Sequence, residues 1–311
     1  MGSSPSRRPR FRRAEEPPTF RLTDGDVEIV RLLARHRFLR STHIAALVER
    51  SVDRVNDRLL RLFHAGYVDR PRAQLDRFPD RGSAPMVYAL ANSGARLLAE
   101  HDDPSLAGSD WSRSNETAGR PFIEHQLEIM DFYVALQIAT RERKDVALIH
   151  PHELVASFPG PSGSRDPFAL HVKLSDGGAV YDIGLVPDLA FGLRFPDGTR
   201  RCFFVEIDRS TMPVFRSDIR QTSIARKMRV YLAAHAAKLH EQQFGWKAFR
   251  ILTVTTDSHR VQSMTTSLRS LQMPQGPGSQ LFFFATSTEL GASNPLTHVW
   301  HDGNSREVRL M

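Results

Sequence analysis

Residues 202–208 read Cys-Phe-Phe-Val-Glu-Ile-Asp. A nearly continuous apolar run of this length is a buried strand rather than a solvent-facing one. Glu206 stands inside it, and a carboxylate there is costly unless it is paired, solvated or bound to metal. Alternation along a strand puts Glu206 and Asp208 on one face. The preceding strand, residues 186–191, carries a second acid, Asp188, at its start, and the turn Pro196-Asp197-Gly198 joins the two. Further strands are predicted at 146–149, 152–158, 168–174, 179–183, 249–254 and 281–285, with turns rich in Gly, Pro and Ser at 159–165 and 176–178. One helix begins at Pro121, a residue suited to a first turn, and runs to about 143. A long helix spans 217–238. Strands flanking a helix in this way make residues 120–311 a mixed α/β domain.

The first third of the chain has a different character. Residues 1–100 hold 19 arginines, no lysine and 12 acids, so they carry the whole net charge of +7, while residues 101–311 balance to zero. Such asymmetry points to a segment that binds a polyanion joined to a neutral domain; a merely solubilising surface is the plainer alternative. Residues 1–21 are Arg-rich and poor in apolar residues, which predicts a disordered arm whose Arg10, Arg12 and Arg13 reach phosphates or a narrow minor groove.

From Leu22 onward the pattern is helical. Thr23 caps a helix with Asp24, Asp26 and Glu28 in its first turn and Val27, Val30, Leu33 and Ala34 along one stripe. A short helix, Ile44 to Val48, follows Ser41 and Thr42. Ser51 caps a third, with Val52, Val55, Leu59, Leu62 and Phe63 inward, and Gly66 ends it. Helix, short helix, turn and longer helix is the helix-turn-helix order. Strands at 67–70 and 86–90 around a loop then fit a wing. Off the stripe of the third helix, Ser51, Arg54, Arg58 and Arg61 are the candidate contacts to bases and phosphates; Asp53 and Asp57 share that face and repel phosphate. Residues 101–119 have no periodicity and read as a linker.

Several classes are excluded. No apolar run reaches the roughly 18 residues of a membrane span. The N-terminal arginines precede no apolar stretch, so they are not a secretory signal. Cys202 is the only cysteine, which forbids an internal disulfide. There is no phosphate loop, dinucleotide fingerprint or nucleophile elbow. The expected compartment is the cytoplasm.

The segments HAGYVDR (64–70) and YALANSGARLL (88–98) resemble winged-helix proteins over residues 22–100. Val186-Pro187-Asp188 with Val205-Glu206-Ile207-Asp208 resembles the core of the PD-(D/E)xK nuclease superfamily. More narrowly, VPDLAFGL (186–193), RCFFVEIDRSTMP (201–213) and IARKMRVY (224–231) resemble the replication-relaxation family of plasmid and mobile-element proteins. The resemblance implies a winged helix-turn-helix at 22–100, a linker at 101–119, and a restriction-endonuclease-like α/β domain at 120–311. It implies that Asp188 and Glu206 hold Mg²⁺, with a glutamate of the preceding helix, Glu124 or Glu128, assisting; Asp208, on the same face as Glu206, is expected to add a third carboxylate to that metal cluster. Asp208 departs from the superfamily, which has lysine there; Lys227 on the next helix is the substitute.

Three readings stay open. The first is a DNA-binding protein of plasmid or mobile-element replication, its nuclease-like domain inactive, partnered by double-stranded DNA, a second copy, or replication and mobilisation proteins. The others are a Mg²⁺-dependent nicking endonuclease and a winged-helix transcriptional regulator.

Overall fold

The structure is a computed structural model that describes residues 10–17, 19–74, 77–78, 82–101, 103–160, 166–271 and 277–311. It is a mixed α/β chain in two compact units, Met1–Val134 and Ala135–Met311.

The first unit opens with α1 (Asp24–His36), β1 (Phe38–Arg40), α2 (Ser41–Leu47) and α3 (Val52–His64). The chain continues through β2 (Val68–Asp69), the short pair β3 (Arg77–Phe78) and β4 (Gly82–Ser83), β5 (Val87–Leu90), α4 (Asn92–His101) and α5 (Trp111–Thr117). The unit boundary falls inside α6 (Arg120–Arg141). Each helix buries one stripe: Ile29, Val30 and Leu33 on α1, and Val55, Leu59 and Leu62 on α3. Phe38-Leu39-Arg40, where helical periodicity stops, pairs antiparallel with β5, which lies between β1 and β2. Gly66 closes α3 at φ +82°, a conformation L side chains rarely adopt. A Cβ on Gly94 would stand 2.3 Å from the Tyr67 carbonyl, so α4 leaves β5 only because that residue is glycine.

Two expectations are corrected in this unit. Within residues 101–119, read as a linker, lies α5, whose buried Asn115 donates to the Leu90 carbonyl at 2.7 Å and to Asp69 at 3.1 Å. Its anchor is one amide rather than an apolar stripe, so no periodicity marked it. Residues 1–9 of the expected arm lie outside the described residues, but Arg13 is docked rather than free. Its guanidinium donates to the carbonyls of Phe63 (2.8 Å) and Val68 (3.1 Å) and pairs with Asp69 at 2.6 Å. A cation at the C-terminal carbonyls of α3 is favoured by the helix dipole.

The second unit holds β6 (Ala147–Ile149), α7 (Pro151–Ala156), the hairpin β7 (Leu170–Asp176) and β8 (Ala179–Leu185), then β9 (Leu189–Arg194) and β10 (Arg200–Ile207). After these come α8 (Ile224–Ala236), α9 (Leu239–Phe244), β11 (Phe249–Thr255), α10 (Ser258–Leu271), β12 (Phe282–Thr286), α11 (Ser287–Gly291), β13 (Trp300–Asp302) and β14 (Glu307–Val308). Seven strands form one sheet in the order β14-β13-β12-β11-β10-β9-β6. The strands β6, β9 and β10 run antiparallel in turn, whereas β10, β11 and β12 are parallel. The apolar run 202–208 is thus an interior strand, with Phe203, Phe204 and Val205 sealed from solvent. Phe204 packs with Tyr231, Phe249 and Trp246 between sheet and helices.

The strand expected at 152–158 is instead α7, where Pro151 sits in the first turn and Glu153 accepts from the His150 amide at 2.8 Å. The helix expected from 217 begins at Ile224, because the Ser223 hydroxyl caps it by accepting from the Arg226 amide.

Candidate functional site

Glu206 and Lys227 reach each other because β10 and α8 follow the two periodicities. Glu206 is the penultimate residue of β10, and Lys227 and Tyr231, four residues apart, share one face of α8. The Lys227 ammonium donates to Glu206 Oε2 at 2.5 Å, and the Tyr231 hydroxyl donates to Oε1 at 2.5 Å. Asp188, just before β9, accepts from the Ile207 amide at 2.8 Å and so lies beside the same strand end.

Burial pushes the Glu206 carboxyl up to about 7, and the nearby Asp188 charge adds to this; Lys227 and Tyr231 oppose it. Burial works against the Lys227 charge, but Glu206 and Asp188 outweigh it and hold the ammonium above its ordinary range. The Tyr231 phenol is pushed well up by burial and by Glu206. The cluster is a largely buried acid, lysine and phenol centre in which Lys227 and Tyr231 each donate one hydrogen bond to the Glu206 carboxyl.

Asp208 makes no hydrogen bond to this centre, although its charge also helps hold the Lys227 ammonium. Its buried carboxylate is held by Arg260 of α10, Nε to Oδ2 at 2.9 Å and Nη2 to Oδ1 at 3.0 Å, and by the Thr255 hydroxyl at 2.7 Å. Arg260 also donates to the Met212 carbonyl. The expected three-carboxylate cluster is therefore not formed. One step beyond β10, Asp208 turns to the bidentate fork, whose charge and hydrogen bonds satisfy it more fully than a second carboxylate allows. Among the described residues no group of three or more His, Cys, Asp and Glu is arranged to hold a metal ion. The residues present do not fit the three-carboxylate Mg²⁺ centre expected from the sequence. Glu124 belongs to the first unit, where it accepts from Arg120 Nε at 2.6 Å. Arg260 and Thr255 carry no mark in the sequence, since nothing local ties them to a carboxylate some fifty residues earlier.

In the first unit, α3 presents Ser51, Asp53, Arg54, Asp57 and Arg61 to solvent. Arg61 pairs with Asp57 at 3.1 Å, one helical turn away, which answers the repulsion expected from that aspartate. Arg58 turns inward instead. Its Nε donates to Asp26 Oδ1 at 2.8 Å, its Nη2 to Asp26 Oδ2, and Nη2 also to the Arg21 carbonyl at 3.1 Å. Burial pushes the Asp26 carboxyl up, but Arg58 and Thr23 outweigh it and hold it below its ordinary range. Arg58 thus ties α3 to the start of α1. Arg50, Arg54 and Arg58 line an open cleft of about 530 Å³ whose apolar wall is Ile29 and Val55. Arg12 pairs with the exposed Glu15 at 3.3 Å, and the Arg10 carbonyl accepts from Arg70 at 2.8 Å.

Fold and sites define a two-unit α/β protein, with an arginine-lined helix face in one unit and a buried acid centre in the other. Residues 30–246, more than two thirds of the chain, match the family model described as replication-relaxation, and the chain belongs to that family. Comparison with curated proteins and with solved structures found no match. Membership points to a role in replication or relaxation. Among the described residues, no helix is long and apolar enough to cross a membrane.

Proposed function

We propose that this chain is a cytoplasmic DNA-binding protein acting in plasmid or mobile-element replication, with a winged helix in its first unit and a catalytically silent nuclease-like fold in its second. The observation that carries the reading is α3: its apolar stripe is buried while Arg54 and Arg61 face outward, α2 and β2 pack against it, and Arg58 ties it to α1. That is the arrangement by which a winged helix lays its third helix in a major groove. The nuclease-like fold is supported by the series α6, β6, β9, β10, α8, β11, with three antiparallel strands followed by a parallel one. Its silence is supported by Asp208, which is engaged by Arg260.

The test is duplex binding by the full-length protein as a function of salt. Arg54→Ala and Arg61→Ala are each expected to weaken binding and to flatten the log–log salt slope by about 0.9. Arg58→Ala is expected to leave the affinity of the folded protein unchanged and to lower its stability by roughly 2 kcal/mol, because it strands the buried Asp26 carboxylate. If Arg54→Ala and Arg61→Ala both bind as wild type does, the first unit is not the DNA module. In the same reaction supercoiled plasmid is expected to stay intact. Nicked product formed only with Mg²⁺ or Mn²⁺ would overturn the silent reading and give Asp188 and Glu206 to a metal.

A further inference from the structure

Residues 209–229 hold six basic residues and one acid, although residues 101–311 as a whole are electrically balanced. This stretch runs from the end of β10, through the loop that leads out of the acid centre, into α8. The loop is pinned. Met212 and Val214 pack on the core, and Ile219 is buried. The Ile224 amide donates to the Pro213 carbonyl at 3.2 Å and the Ala225 amide to the Val214 carbonyl at 2.8 Å. Arg216 closes the far side by donating to the Gln221 side chain at 2.6 Å.

Phe215, immediately after Val214, is 67% exposed, more than any other large hydrophobic among the described residues. A fixed loop that holds a phenyl ring in water gains nothing for folding. Arg216 beside it, and Arg226 on the first turn of α8, take part in no ion pair among the described residues. Arg226 donates only to the neutral Arg220 carbonyl and Thr222 hydroxyl. Arg220 is paired to Asp218 within the exposed loop itself. The first amides of α8 are already used by Pro213, Val214 and Ser223, so the guanidinium groups are what an anion would meet.

We propose that Phe215 is a stacking platform for an unpaired base of single-stranded DNA, with Arg216 and Arg226 against the flanking phosphates. The inference rests on the DNA-binding reading above and adds a second, structure-selective contact to it. A lone exposed ring offers one face, which suits a base already out of its helix; a duplex hides those faces. Every base has such a face, so the contact is indifferent to sequence. The local positive charge selects nucleic acid over an apolar peptide.

The experiment compares full-length wild type, Phe215→Ala, Phe215→Trp and Arg216→Gln/Arg226→Gln on a fluorescent 20-nucleotide DNA oligonucleotide and on the same sequence as duplex. Phe215→Ala is expected to weaken single-strand binding about ten-fold or more and to leave duplex binding and the melting temperature unchanged. Phe215→Trp should restore single-strand affinity, and the double variant should flatten the single-strand salt slope. Single-strand affinity unchanged in Phe215→Ala, or an equal loss on both substrates, overturns the proposal. Wild type that binds duplex but no single strand overturns it alone. Wild type that binds neither overturns the DNA-binding reading with it.

Discussion

Replacing Lys227 by Met should destabilise the protein by about 3 kcal/mol at pH 8 and by much less at pH 5. The cause is the sealed position of Glu206, whose carboxyl sits at about 7 in the folded state against an ordinary 4.5. A group raised in this way contributes its full share of stability below the unfolded value, and loses it as pH rises through the folded one. In the wild type the Lys227 ammonium at 2.5 Å limits that loss. Methionine keeps the length of the side chain but supplies no charge, so at pH 8 the chain must either bury an uncompensated anion or hold a proton against the solvent. At pH 5 the folded state takes Glu206 in neutral at little cost. Urea denaturation at both values measures the difference, and Glu206→Gln/Lys227→Met should recover most of it. An equal loss at both pH values would show that Lys227 acts through packing alone.

Arg260→Ala should cost a comparable amount, roughly 3 kcal/mol, because it strands the Asp208 carboxylate with only the Thr255 hydroxyl and its surroundings. Arg260→Lys should recover little: an ammonium cannot reproduce two parallel bonds to one carboxylate while also reaching the Met212 carbonyl. Loss of that last bond should also loosen the loop after β10, read as faster hydrogen exchange at residues 209–223. If Arg260→Ala melts within about 1 kcal/mol of wild type and Mg²⁺ then raises its melting temperature, Asp208 belongs with a metal after all.

The parts of the molecule legible in the sequence are those whose signal is local. The stripes of α1 and α3, and the unbroken run of β10, announce themselves because one periodicity fills one element, although Val52, expected inward at the start of α3, is exposed and Ile29 joins the buried stripe of α1. Lys227 is legible as the substitute for the lysine missing at 208, on the sheet-facing side of its helix one turn before Tyr231; its bond to Glu206 is a finding of the fold. What escaped depended on distant or polar partners. Asp208 was placed with Glu206 by alternation alone, and alternation ends with the strand; one residue further on, the nearest cation decides. Arg58 looked like a groove-facing residue because it lies off the apolar stripe, yet its long side chain reaches back to a helix thirty residues earlier. The strand expected at 152–158 is helix α7, which Pro151 opens from the first turn, one residue before the expected strand begins.

The parallel pairing of β10 with β11 has a consequence in time. No tight turn can join parallel strands, so Cys202 meets Phe249, and Glu206 meets Thr253, only after everything between them has crossed over the sheet. Loss of the Glu206–Lys227 bond is therefore expected to speed unfolding more than it slows folding, a difference the two arms of a urea chevron for Lys227→Met would show. If that difference is found, the acid centre is a latch: it governs how long the second unit stays assembled rather than how fast it assembles.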